Sequence, residues 1–314
     1  RLPGMVAFVI LFIVLQIKTV MAFLDKRILF MFYSCLSLFL FFACNKTTNP
    51  ITEEQTQLPA FEKTMSIQYN GVDVDIVIDK PAGSELDVLM VFHGTVWYDS
   101  LISQAANNAL NAFKNILDRE DMMIISVAYP EQDLLFGDNI AHCEAALLWV
   151  QHKMKEATGV KPKKIFLAGH SQGGYHAARL NTMHETAGVI ANGAGPLNLV
   201  FRCQLEENGQ IPNGYVCDLL NAVYGLPSQN PNPYFERSLR HFTSNHQADI
   251  LFVQGMEDSP IQMHSWPIFK DEMLRSCSTC KKVLFVELES MGHQALFHSP
   301  AARIAFNEFI NERL

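Results

Sequence analysis

Short runs of uniformly apolar residues recur at 88–92 (VLMVF), 122–127 (MMIISV), 165–168 (IFLA), 188–191 (GVIA), 250–253 (ILFV) and 283–286 (VLFV). They are preceded at 72–78 (VDVDIVI) by a stretch in which apolar and polar positions alternate. Period two predicts a strand with one face in water, and runs this short and uniform predict strands covered on both faces. Amphipathic segments at 103–117, 139–157 and 262–274 lie between them, at lengths suited to crossover helices. Strand and helix in repetition predicts an α/β fold, a doubly wound and mainly parallel sheet flanked by helices. Residues 196–247 break the rhythm with Asn, Pro and Gly and carry Cys203 and Cys217. That stretch is expected to be a cap-like insertion or a plain long loop.

Two stretches near the start lack this alternation: 5–17 (MVAFVILFIVLQI) and 28–43 (ILFMFYSCLSLFLFFA) hold no charged side chain. The second follows Lys26 and Arg27 and ends in Phe41, Phe42, Ala43 and Cys44, which gives a basic n-region, an apolar h-region and a small residue before a cut. This resembles a bacterial export signal. A cysteine directly after the small residue resembles the lipobox of bacterial lipoproteins, in which Cys44 would be freed and lipidated, although Phe41 and Phe42 are bulkier than the residues usual there. The alternative is a retained membrane segment, since two such runs could form a helical hairpin in a bilayer. The sequence starts at Arg1, and Met21, ahead of the basic pair, would be a natural start for the signal. The expected organisation is a signal peptide or membrane segment at 1–43, a polar tether at 44–60 and one folded domain at 61–314. Such a protein would be an envelope lipoprotein or a secreted or periplasmic protein, meeting the membrane through lipidated Cys44 or the signal segment.

Setting 1–43 aside leaves 20 basic against 31 acidic residues, a net charge of about −11. That surface repels phosphate backbones and argues against a nucleic-acid partner. In an oxidising compartment Cys203 would pair with Cys217, and Cys277 with Cys280 in SCSTC, leaving Cys143 a buried thiol. A CxxC pair could instead hold zinc, but no second pair stands at the required spacing, so no metal is expected.

At 167–175 the chain reads LAGHSQGGY. Ser171, between Gly169 and Gly173, stands just after an apolar run and just before the helix-like GYHAARL, which is GxSxG in its strand, turn and helix setting. A serine hydroxyl is a poor nucleophile unless a base takes its proton and donors hold the oxyanion, so the motif needs partners elsewhere.

With these features residues 61–314 resemble an α/β-hydrolase. GHSQGGY is similar to the GxSxGGY of the prolyl oligopeptidase-like branch and of related esterases of the polyhydroxybutyrate depolymerase and feruloyl esterase kind. The resemblance implies the order nucleophile, acid, histidine. QGMEDSP resembles the family's GxxDxxxP and points to Asp258 as the acid, with Glu257 its local competitor. ESMGHQ puts His293 where the family keeps its base, while His298 lies beyond. His293 would take the Ser171 proton and pass it to the leaving group, and Asp258 would hold the imidazole in the right tautomer. The resemblance also implies an oxyanion hole from Gln172 and, in HGTVWYD after His93 and Gly94, from Thr95, with Val96 the alternative by one position. Trp97 and Tyr98 would line a substrate pocket or simply pack the loop, and His170 is a further substrate-binding candidate. No cofactor is implied.

The expected function is that of a secreted serine hydrolase that cleaves carboxylic esters through an acyl-enzyme on Ser171, its substrate a short acyl, phenolic or polyester compound. Trp97, Tyr98 and Trp266, the last eight residues beyond Asp258, fit phenolic and polyester substrates and fit plain acyl esters equally well. The alternative is a prolyl oligopeptidase-like peptidase or aminoacyl-ester hydrolase, favoured by the GGY signature. An oligopeptidase would carry a large propeller domain, which the polar stretch at 45–60 is not expected to be. A third reading, a catalytically dead fold kept as a surface binding module, is opposed by the intact Ser171, Asp258 and His293.

Overall fold

The computed structural model describes residues 58–276 and 282–314. The readings made for the signal segment, for Cys44 and most of the tether, and for the Cys277 to Cys280 link lie outside the described residues. The strands are β1 (Phe61–Tyr69), β2 (Val72–Lys80), β3 (Glu85–Phe92), β4 (Met122–Ala128), β5 (Lys161–His170), β6 (Gly188–Asn192), β7 (Ile250–Gly255) and β8 (Val283–Leu288). They form one sheet in the order β1-β2-β4-β3-β5-β6-β7-β8. β1 and β2 are antiparallel, β2 runs antiparallel to β4, and every later neighbour is parallel. Asn70 and Gly71, both at positive φ (50° and 83°), close the first hairpin in the twist such a two-residue turn requires.

The apolar runs are strands because both faces of the sheet are covered. Along β3, Val88, Met90 and Phe92 enter one core while Leu89 and Val91 enter the other. Helices α1 (Ile102–Lys114), α2 (Ile140–His152), α3 (Met154–Thr158) and α4 (Gln172–Asn181) follow β3, β4 and β5 as crossovers. The segment read as one helix over 139–157 divides at Lys153, whose φ of −122° leaves the helical range. Residues 58–60, the end of the stretch read as a tether, are fastened to the body. Leu58 O accepts the Gly83 N–H at 2.9 Å, and the buried Lys80 ammonium donates to Leu58 O and Pro59 O at 3.2 and 2.9 Å.

Between β6 and β7 the insertion is helical rather than a loop: α5 (Leu199–Glu207), α6 (Tyr215–Tyr224), α7 (Asn232–Phe235) and a 3-10 turn at Leu239–Phe242. A disulfide joins Cys203 to Cys217 across α5 and α6, and Glu206 ties the same two helices by accepting from Arg202 Nε at 3.2 Å and Gly214 N–H at 2.8 Å. Cys143 is a buried free thiol. After β7 come α8 (Pro260–Ser276), and after β8 the short α9 (Ala295–His298) and α10 (Pro300–Asn311). Trp266 on α8 is 2% exposed, packs against Phe252, Phe269 and Phe285, and donates its indole N–H to Glu287 at 2.6 Å. The period of α8 thus turns it into the core, and it lines neither cavity beside Ser171.

Candidate active site

The carboxyl ends of β5, β6, β7 and β8 lie side by side, and the loops leaving them carry the candidate chemistry, as the crevice of an open α/β sheet does. Ser171, between β5 and α4, has φ 56° and ψ −120°. A non-glycine residue there costs roughly 1–3 kcal/mol and persists only where its surroundings fix it. They do so by close approach: a Cβ on Gly173 would lie 2.0 Å from Phe92 O, and one on Gly169 2.1 Å from the Gly173 carbonyl carbon. The Ser171 N–H donates to Asn192 O at 2.9 Å, which pins the turn to the end of β6.

Asp258 follows β7 and His293 follows β8. Asp258 Oδ2 meets His293 Nδ1 at 2.8 Å and accepts Gln254 Nε2 at 3.0 Å, while Oδ1 accepts the Ser259 N–H at 2.6 Å. Burial pushes the Asp258 carboxyl up, but the hydrogen bonds from His293, Gln254 and Ser259 outweigh it, and its pKa lies below the ordinary carboxylate value. The Asp258 side chain is 5% exposed and that of His293 42%. Glu257, the competitor for the acid's place, is exposed, and only its backbone N–H is engaged, by Met291 O at 2.8 Å. His298 ends α9 and pairs with Gln294 at 3.1 Å, away from Asp258.

Ser171 and His293 both line the same two cavities. The larger, about 500 Å³, is walled by Ala105, Ala109, Ala112 and Phe113 of α1 and by Phe297. The smaller, about 260 Å³, is walled by the insertion through Leu199, Arg202 and Val216, together with Trp97 and Asp258. Trp97 is 53% exposed and meets the Tyr215 ring edge-on at 6.5 Å. Tyr98 is 61% exposed and lies outside the walls of both cavities. His170 lines the larger cavity, its ring 4.8 Å from that of His293. Burial, and then the neighbouring His293, hold the His170 pKa down at about 4, so the ring is neutral at pH 7.

The loop after β3 lies against Ser171: a Cβ on Gly94 would sit 3.5 Å from Ser171 Cβ. The Val96 N–H is taken by the Glu131 carboxylate. Neither the Thr95 N–H nor the Gln172 N–H has an acceptor among the described residues, and the Thr95 hydroxyl donates to Gln172 Oε1 at 2.8 Å. The Thr95 and Gln172 amides are thus free to donate, whereas the one-position alternative at Val96 is otherwise occupied.

Sequence reasoning missed four polar residues that hold this arrangement. Asn192, fully buried, takes the Leu296 N–H on its side-chain oxygen at 3.1 Å and donates to His170 Nδ1 at 2.9 Å. Gln262 donates to Ala194 O at 2.9 Å and to Gln254 Oε1 at 3.2 Å, and Gln254 in turn orients Asp258. Glu131 is the fourth. A polar residue closing an apolar run was the only available signal, visible for Asn192 and Gln254.

A serine held at a strained turn, an imidazole backed by a carboxylate, and two free amides beside them can carry out acyl transfer. The fold agrees with solved hydrolases. An acylaminoacyl peptidase of Pyrococcus horikoshii superposes with a TM-score of 0.58 at 12% identity, over 82% of this chain and 42% of that one, so the chain spans less than half of the peptidase. A thermostable esterase of Pseudomonas putida gives 0.57 at 18% identity over 80% and 81% of the two chains. An esterase of Pyrococcus furiosus gives 0.57 at 14% over 81% and 92%. No curated protein matches the sequence. The family model described as BD-FAE matches residues 74–272, more than half of the chain, taking in Ser171 and Asp258 and ending before His293. With its sheet order, its strained serine and that match, the chain has an α/β-hydrolase fold and belongs to the BD-FAE family.

Proposed function

We propose that this protein is a carboxylic ester hydrolase that works through an acyl-enzyme on Ser171. The observation that carries the reading is the 2.8 Å pairing of Asp258 with His293, an imidazole that shares the walls of both cavities with Ser171. His293 Nε2 takes the Ser171 proton as Oγ attacks the ester carbonyl, and the Thr95 and Gln172 amides receive the oxyanion. His293 then gives the proton to the departing alcohol, and water, activated by the same imidazole, releases the acid. Asp258 stays ionised throughout and stabilises the imidazolium.

The two cavities divide the substrate. The larger, lined by alanines and by Phe92, Phe113 and Phe297, suits an apolar acyl or aryl group, and its volume falls in the range of about 300–1,000 Å³ usual for small-molecule sites. The smaller, with Arg202 and Trp97 at its wall, suits a more polar portion. A short acyl ester, a phenolic ester or a polyester segment all satisfy this division. Ser171→Ala is expected to abolish turnover of p-nitrophenyl esters and labelling by a fluorophosphonate, and unchanged turnover in the purified variant would refute the reading.

The GGY signature supports a second reading, an aminoacyl-ester or peptide hydrolase. Matched ester and amide substrates with the same acyl group separate the two, the ester reading requiring the ester to turn over faster. Export rests on the basic pair, apolar run and Ala43-Cys44 junction of the sequence, with residues 44–60 as tether to a catalytic domain at 61–314. Incorporation of labelled palmitate that is lost in Cys44→Ser tests the lipoprotein form.

A further inference from the structure

Behind the oxyanion loop lies a polar cluster that takes no direct part in that chemistry. Residues 93–99 are tied to 129–132 at both ends. Tyr129 donates its hydroxyl to His93 O and stacks on the His93 ring at 4.0 Å. Asp99 Oδ1 accepts the N–H groups of Glu131 and Gln132 at 3.0 and 2.9 Å. Between these ties the Glu131 carboxylate accepts the Val96 N–H and a hydrogen bond from the Gln172 side chain, whose carbonyl oxygen accepts the Thr95 hydroxyl. One carboxylate thus grips the peptide next to one proposed oxyanion donor and the side chain of the residue that supplies the other.

The grip matters because an oxyanion hole works by having its dipoles aligned before charge develops. The Val96 N–H belongs to the Thr95–Val96 peptide, so its direction sets the backbone that aims the Thr95 amide. Without an acceptor, this N–H would be an unsatisfied donor beside the hole, free to turn and to compete with Thr95.

We propose that Glu131 is a positioning residue for ester hydrolysis: its carboxylate fixes the Thr95–Val96 peptide and the Gln172 side chain so that the Thr95 and Gln172 amides stay aligned on the oxyanion. The proposal rests on the serine-esterase reading. Burial pushes the Glu131 carboxyl up to about 7, against the hydrogen bonds from Val96 and Gln172 and with a smaller push from the Asp99 charge. The other titratable groups around it are neutral at pH 7. Tyr129 and Cys143 have their pKa values raised by burial, and His93 and His176 have theirs lowered by it. No lysine or arginine pairs with it among the described residues. The ionised form is the stronger acceptor, so the grip is complete above neutrality and weakens as pH falls through about 7.

The test measures kcat and KM for p-nitrophenyl butyrate between pH 5.5 and 9 in the wild type, Glu131→Ala and Glu131→Gln, with fluorophosphonate labelling of each. At pH 8 Glu131→Ala is expected to lose about 10- to 100-fold in kcat with KM within about threefold, somewhat less than loss of an oxyanion donor itself. Glu131→Gln keeps an uncharged acceptor and should recover most of that loss. Its acid limb should show one ionisation where the wild type shows two. An unchanged kcat in Glu131→Ala, a loss confined to KM, or two ionisations persisting in Glu131→Gln would overturn the proposal. If Glu131→Ala does not fold, the profile of Glu131→Gln decides alone. A wild type that neither labels nor turns over would overturn the esterase reading and this proposal with it, whereas a labelled, active wild type beside a fully active Glu131→Ala overturns the proposal only.

Discussion

Asp258→Asn exchanges one acceptor oxygen for an NH2 donor, and the hydrogen bonds around that side chain decide its effect. Oδ1 accepts the Ser259 N–H at 2.6 Å, from a backbone that cannot rotate away. An asparagine at 258 therefore keeps its carbonyl on Ser259 and turns its NH2 toward the place of Oδ2, where Gln254 Nε2 at 3.0 Å and His293 Nδ1 at 2.8 Å now meet a donor. Gln254 cannot reverse without cost, because its Nε2 also donates to Gly255 O at 2.8 Å and its Oε1 accepts from Gln262 at 3.2 Å. The imidazole can adapt, by accepting at Nδ1 and carrying its proton on Nε2. That is the wrong tautomer for a base facing Ser171. The expected loss is about 10⁴-fold in kcat, or roughly 5 kcal/mol of transition-state stabilisation, with KM changed by less than about threefold. Steady-state kinetics on p-nitrophenyl acetate at pH 7.5, with thermal melts to confirm folding, measure it. A variant within about tenfold of wild type, or an equal loss in Glu257→Gln, would refute the assignment of the acid and the tautomer argument together.

Acid should unfold this protein earlier than its carboxylates alone would require. Burial holds His93, His170 and His246 at about 4 against an ordinary 6.5. Because these folded-state values are depressed, the stability is complete above 6.5 and is lost as pH falls toward 4, by up to about 3 kcal/mol for each group. Melts between pH 7 and 4 check this, and a flat melting temperature down to pH 5 would contradict it. Ala109→Phe, on the wall of the larger cavity, is expected to lower kcat/KM for octanoyl or feruloyl esters about 10-fold or more while acetyl esters stay within about threefold. An equal loss on acetate would mean that the cavity does not take the acyl group. The Cys203→Ser/Cys217→Ser pair opens a loop with a sequence separation of 14 and should cost about 3 kcal/mol, raising KM more than it lowers kcat because the insertion walls the smaller cavity. Denaturant melts and kinetics read both effects.

The strands were legible where burial on both faces left no polar position, as in VLMVF, and the family resemblance placed Ser171, Asp258 and His293 each after such a run. β1 was not, since FEKTMSIQY is an edge strand with most side chains in water and so lacks a continuous apolar run. The break at Lys153 escaped for a different reason: apolar spacing continues across it, and only backbone angles record the kink. Trp266 shows the limit of reading distance along the chain, because eight residues from Asp258 on a helix is two turns further and on the core side. Asn192, Gln254, Gln262 and Glu131 stayed hidden because their partners lie on other strands and loops, so no local pattern announces them.

Those four residues explain how a strained, polar edge is sustained on an apolar sheet. The strands supply burial and rigidity but no hydrogen-bond partners beyond their own ladder. Each loop leaving the carboxyl edge brings N–H groups that water reaches poorly, and an unsatisfied one costs about 1–3 kcal/mol. Asn192 closes β6 by taking the Ser171 N–H on its backbone and the Leu296 N–H on its side chain, which joins the turn at Ser171 to the segment that follows His293. Gln254 closes β7 and does the same for the acid through Gln262. A leucine at either position would continue the apolar pattern, yet at 192 it would leave the Leu296 N–H unpaired and at 254 it would take from Asp258 one of its donors and from Gln262 one of its acceptors. The polar residue ending each run is what turns three strand ends into one site, so the site's geometry depends on bonds between loops as much as on the sheet beneath them.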